Sequence, residues 1–115
     1  MERRVHPRVE VSHPVLYISQ VYPRPNVAST LDLSLGGARI QSLYPLNMDE
    51  ALEMTISIRP RVLKCRGRVV HIHRRKNGRT QAGIQFEELQ ADDRVYLEDY
   101  ISQITKERAL DGTSP

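Results

Sequence analysis

Asp32-Leu33-Ser34-Leu35-Gly36-Gly37 stands between two runs that read as strands, Val27 to Leu33 and Ala38 to Leu43, so the glycine pair falls where a hairpin has to reverse. Glycine supplies the positive φ that a tight reversal uses. Residues two apart on a strand share a face, so Asp32 and Ser34 are expected to project together beside a turn with no Cβ atoms. A carboxylate only accepts hydrogen bonds, whereas a hydroxyl donates and accepts. The pair suits a ligand edge with adjacent N–H donors, such as the N1–H and N2–H2 edge of guanine. The plainer alternative is that both side chains cap the turn, as Asp and Ser commonly do.

Upstream of this hairpin, Val9 to about Val21 alternates, with Val9, Val11, Val15, Tyr17 and Ser19 on one face. Pro14 interrupts the pattern and predicts a sheet edge or a bulge. Tyr22-Pro23-Arg24-Pro25-Asn26 reads as a turn, with Arg24 toward solvent. Downstream, Tyr44 to Asp49 is a loop, and Leu52 to Ile58 alternates Leu52, Met54, Ile56 and Ile58 against polar neighbours. Arg59-Pro60-Arg61 turns the chain into a long strand from Val62 to His73. Lys76-Asn77-Gly78-Arg79 is a hairpin signal, with Asn-Gly suited to positive φ at both central positions. A strand from Thr80 to Phe86 follows. Six antiparallel strands with short turns predict a mainly β protein, a small barrel or a sandwich. The period then changes: Leu97, Ile101 and Ile104, flanked by Tyr96 and Tyr100, predict a helix over 91–106 that packs on the sheet. Asp92 and Asp93 place acid in its first turn, where the helix dipole favours it.

A chain of 115 residues has the size of one domain. With 5% aromatic residues and no Trp, its core must be built from Val, Ile and Leu. A net charge of +3 is too small to argue for wrapping duplex nucleic acid. The cations are 14 Arg against 3 Lys, a bias toward flat, bidentate donors that stack on purines. Cys65 is alone, so no intrachain disulfide forms. Neither an apolar leader nor an apolar run near 18 residues is present, so the expected location is cytoplasmic, without a membrane contact.

At the N-terminus, Glu2-Arg3-Arg4-Val5-His6-Pro7-Arg8 reads as an extended arm, because Pro7 lacks a backbone donor and pushes His6 out of helical conformations. Arg4 and Arg8 lie on one side, about 13 Å apart at their Cα atoms, which suits two contacts on one larger anion. An ordinary solvated basic terminus is the alternative.

Together, Arg4-x-x-x-Arg8 and Asp32-x-Ser34-x-x-Gly37 resemble the signature of the PilZ domain, a bacterial receptor module for cyclic di-GMP (c-di-GMP). The resemblance runs from about Glu2 to about Ile104 and includes Gly83-Ile84-Gln85-Phe86 and the closing helix. It implies a six-stranded antiparallel split barrel with a C-terminal helix, and every signature position is filled. It also implies that the arginine arm wraps bases and phosphates while the Asp/Ser/Gly turn contacts a guanine. Those roles pass to Arg4, Arg8, Asp32, Ser34 and Gly37, with Arg3 and Gly36 as secondary contacts. The expected organisation is a mobile arm over 1–8 that folds over the ligand, a barrel with its helix over 9–106 and a disordered tail over 107–115. The expected role is signalling by a monomer or ligand-dependent dimer that acts on a protein partner, with no cofactor and no DNA or RNA.

Other chemistry finds less support. His71 and His73 share a strand face, but no third ligand has a supporting spacing for a metal. Ser34 has Asp32 nearby but no histidine placed by motif as a base, so an enzyme is not expected. Two other roles remain: an adaptor of the same fold without nucleotide affinity, and a small barrel that binds RNA or DNA. The second would need aromatic platforms that a lone Phe86 and scattered tyrosines do not supply.

Overall fold

Burial alternates along the strands, so that each turns one face inward, and six such strands close on themselves. The computed structural model describes residues 6–21 and 23–112. Its elements are β1 (Pro14–Ser19), β2 (Asn26–Leu33), β3 (Gly37–Ser42), β4 (Ala51–Ile58), β5 (Arg61–Arg74), β6 (Thr80–Leu89) and α1 (Ala91–Gly112). The strands form a closed antiparallel barrel in the order β1-β2-β3-β6-β5-β4. The barrel of the two expected architectures is therefore the one adopted, and the sandwich is not.

Inside it lie the residues the alternation marks: Val15 and Tyr17 of β1, Leu52, Met54, Ile56 and Ile58 of β4, and Ala82 and Ile84 of β6. Tyr17 carries a polar tip into this core, and its hydroxyl meets Ser42 Oγ at 2.7 Å. Burial pushes that phenol's pKa up, so it stays protonated. Glu50 is also buried, yet its carboxylate accepts from the Ser19 hydroxyl and from the Asn47 backbone N–H at 2.8 Å.

Several local expectations are corrected. Pro14 marks neither an edge nor a bulge: it is the first residue of β1, where no ladder donor is lost, and β1 pairs with both β2 and β4. The predicted strand from Val9 breaks into an isolated bridge at Val9 and the strand from Pro14. Gly36 and Gly37 do not take positive φ; among the described glycines only Gly78 does, at 83°. Asn77 does not share it, so the β5–β6 hairpin is not the doubly left-handed two-residue turn. Instead Gly78 N–H donates to Arg75 O at 3.1 Å and Arg75 N–H to Arg79 O at 2.8 Å, a three-residue loop with one left-handed glycine. The helix continues six residues past Lys106 to Gly112, so 107–112 is helical rather than a disordered tail.

Helix α1 is fastened to one end of the barrel. Leu97 and Ile101 join the core. Asp93, expected only to complement the dipole, is buried and accepts from Arg61 Nε at 2.8 Å and from the Lys64 N–H at 3.1 Å. The Tyr96 hydroxyl donates to Ile58 O at 2.7 Å. Farther along, Tyr100 meets His13 Nε2 at 2.7 Å, and Pro7 and Leu35 face Ile101, Ser102 and Thr105 across a small apolar groove.

Three outcomes follow from this packing. Leu97→Ala should cost about 2–5 kcal/mol in denaturant unfolding, because it empties a fully buried position. The Cys65 thiol is pushed up to about 12 by burial first and by Asp93 second, so the folded protein should resist iodoacetamide at pH 8 and react fully in urea. Burial lowers the His13 pKa below the ordinary 6.5, so the folded state favours neutral imidazole. Its contribution is complete above pH 6.5 and is lost as pH falls below that value. Stability should therefore decline on acidification through this range, with a smaller decline in His13→Gln.

Candidate functional site

The Asp32–Gly37 turn lies at the helix end of the barrel, held by three backbone links. Val9 N–H donates to Leu33 O and Leu33 N–H to Val9 O, both at 2.9 Å, which docks the segment behind Arg8 onto the end of β2. Phe86 N–H donates to Gly36 O at 2.9 Å, tying the turn to β6. At Gly37, a Cβ would lie 2.0 Å from Ile84 O, so glycine is required here by close approach of β3 to β6 rather than by φ.

The register of β2, β3, β6 and β5 lines up a row of residues on the outer face: Asp32 opposite Arg39, Arg39 opposite Gly83, and Gly83 opposite His71. A bulge between Thr30 and Asp32 re-aims the end of β2. Asp32 is only 4% exposed, covered by Arg39, whose Nε is 3.2 Å from Oδ2, and by Arg8, whose Nε is 3.6 Å from Oδ1. A buried carboxylate needs such partners, since an uncompensated charge there is costly. Ser34 serves the turn instead: its Oγ accepts from the Gly36 and Gly37 N–H groups at 3.1 and 3.2 Å and donates to Gly37 O at 3.3 Å.

Beside the turn, a cleft of about 760 Å³ opens over β3, β6 and β5. Arg8, Ser34, Gly36 and Gly37 form one rim, Arg39, Gly83 and Gln85 the floor, and His71, His73 and Arg75 the far wall. No carboxylate lines it among the described residues; Asp32 lies behind its two arginines. Arg75 donates to His73 Nε2 at 3.2 Å. The cleft can thus receive an anion with flat, hydrogen-bonding parts, since guanidinium forks match phosphate oxygens and stack on purines.

Of the expected site residues, Arg8, Ser34, Gly36 and Gly37 meet at this rim and Asp32 stands directly behind it. Arg3 and Arg4 lie outside the described residues. Sequence reasoning missed Arg39, although it follows Gly37 by two and therefore faces the same side of β3. His71 and His73 were weighed only as metal ligands, and no group of three metal-binding side chains gathers among the described residues. None of the helices in the described chain is long and apolar enough to cross a membrane.

A family model described as the PilZ domain matches residues 2–103. No curated protein sequence matches the chain. Among solved structures, the chain is similar to MotI (DgrA), the inhibitor of motility of Bacillus subtilis, with a TM-score of 0.83 at 16% identity over 94% of this chain and 54% of that one. It is similar to the PilZ domain of YcgR from Escherichia coli with c-di-GMP, with a TM-score of 0.76 at 13% identity over 99% of this chain and 100% of that one. The K. pneumonia MrkH–c-di-GMP complex gives 0.80 at 17% identity over 96% and 56%. The chain therefore spans about half the length of the MotI and MrkH chains. MrkH is described as a c-di-GMP-dependent transcription regulatory factor, so the expected absence of a nucleic-acid partner is not a rule of the fold.

The two turn glycines should respond differently to a methyl group. Gly37→Ala meets backbone and should cost about 3 kcal/mol, read as a lowered unfolding midpoint. Gly36→Ala meets the His6 ring at 3.1 Å, a side chain that can yield, and should unfold near the wild-type midpoint.

Proposed function

Since the chain belongs to the PilZ domain family, we propose that it is a c-di-GMP receptor that binds its ligand in the cleft beside the Asp32–Gly37 turn and does no chemistry on it. The observation that carries this is the pairing of a carboxylate-free, arginine-lined cleft with a buried Asp32 that holds Arg8 and Arg39 at its edge. Two similar structures, the YcgR PilZ domain and MrkH, contain c-di-GMP, which supports the choice of ligand.

The proposed mechanism uses the unequal grip of Asp32. Its contact with Arg8, at 3.6 Å, is longer than a hydrogen bond, while that with Arg39, at 3.2 Å, is tighter. Arg8 turns from the carboxylate to a ligand phosphate, and Arg4 and Arg3 follow as the arm folds over the ligand. Asp32 is then free to accept from the N1–H and N2–H2 edge of a guanine, with Ser34, Gly36 and Gly37 shaping its seat. The ordered arm changes the surface offered to a downstream protein. In the unliganded protein Asp32 keeps the arginines oriented, which lowers the ordering cost of binding.

Isothermal titration of c-di-GMP into the folded protein tests this, with GTP as control ligand and the Arg4→Ala, Arg8→Ala double variant alongside. Saturable binding, absent with GTP and at least tenfold weaker in the variant, is the expected result. A folded wild-type protein that does not bind c-di-GMP overturns the receptor role and redirects the search to protein partners. Slower hydrogen exchange over residues 1–8 on saturation is expected, and unchanged exchange there would refute the folding arm.

A further inference from the structure

The cross-strand row on the outer face continues past the residues so far given a role, to Gly83 and His71. We infer that Gly83 and His71 form a seat for the second purine of the ligand, with the His71 imidazole as its stacking face and Arg39 as its opposite side. The seat presupposes the c-di-GMP receptor role proposed above and adds residues to it.

Gly83 is flanked in register by Arg39 on β3 and His71 on β5. Two strand spacings put the Cα atoms of Arg39 and His71 about 10 Å apart. Between these two flat groups the β6 position has no side chain. The imidazole leans over the vacancy: a Cβ on Gly83 would lie 3.3 Å from His71 Cβ and 3.4 Å from Cδ2. Both flanking side chains are exposed in the cleft, and Gln85, two residues along the same face of β6, offers an amide that donates and accepts at a base edge. A guanidinium on one side, an imidazole on the other and bare backbone beneath suit a planar heterocycle better than a phosphate, which would favour clustered donors over a flat face.

The position fits a ligand with two bases. Asp32 and Gly83 stand two strand spacings apart in the row with Arg39 between them, so a base read at Asp32 leaves the other within reach of Gly83, about 10 Å away. Arg39, whose Nε lies 3.2 Å from Asp32 Oδ2, stands on the strand between the two places.

The test is c-di-GMP titration of His71→Ala, His71→Lys, His71→Trp and Gly83→Val beside wild type, each first checked for a cooperative unfolding transition. His71→Ala and His71→Lys should bind about tenfold more weakly, as loss of one aromatic platform does, the lysine failing although it supplies a cation. His71→Trp should bind within about threefold of wild type and, because the chain has no other Trp, its emission should be quenched as ligand is added. Gly83→Val should weaken binding by filling the floor. If wild type binds and the alanine, lysine and valine variants bind equally well, or His71→Trp binds without quenching, the seat is refuted while the receptor role stands. If folded wild type does not bind at all, both fall together.

Discussion

The close approach of β3 to β6 at Gly37 is the constraint on which the site depends. With only 2.0 Å between the place a Cβ would take and the Ile84 carbonyl oxygen, the two strands are drawn together as no other residue would allow. That contact brings Gly36 O to the Phe86 N–H and sets the register that puts Arg39 beside Gly83. A looser pairing there would separate the turn from the sheet face that forms the floor of the cleft. The arm's last residues are placed by the same corner, because Val9 bonds to Leu33 immediately before the turn.

Charge is handled by the same economy of position. Asp32 and Asp93 are both buried carboxylates, and each is matched by a guanidinium and differs in what else it meets. Asp93 accepts from a backbone N–H as well as from Arg61, a fixed arrangement that fastens α1 to β5. Asp32 has two arginines, both of which reach the cleft, so its environment can be rearranged without leaving it unpaired. One acid is held by a fixed backbone donor; the other is held, among the described residues, by arginine side chains alone.

Much of this was legible from the residues. The alternation of Leu52, Met54, Ile56 and Ile58 located β4 to within one residue, and the Leu97/Ile101/Ile104 stripe located the packed face of α1. That the hairpin turn falls just after Asp32 and Ser34 was also legible from the glycine pair. What escaped depended on neighbours distant in sequence. Gly37 is needed because of Ile84, and Arg39 matters because closure of the barrel puts it between Asp32 and Gly83. Pro14 suggested an edge because a proline cannot donate to a ladder, but at the first position of β1 there is no donation to lose. Where α1 ended was obscured because its last turns, beyond Ile104, are exposed and follow no apolar pattern.

Closure of the barrel has one more consequence. Each of the six strands has a neighbour on both sides over part of its length, and open ladder is confined to strand ends: β5 beyond Val69 pairs only with β6, and β6 beyond Phe86 only with β5. An incoming strand therefore finds no full-length edge, and most of the surface that another chain could meet is side chains, on the outer faces of the strands and along α1. The same closure guards against runaway edge-to-edge polymerisation, so the protein can display exposed Leu16, Ile18 and Val27 without inviting a growing sheet.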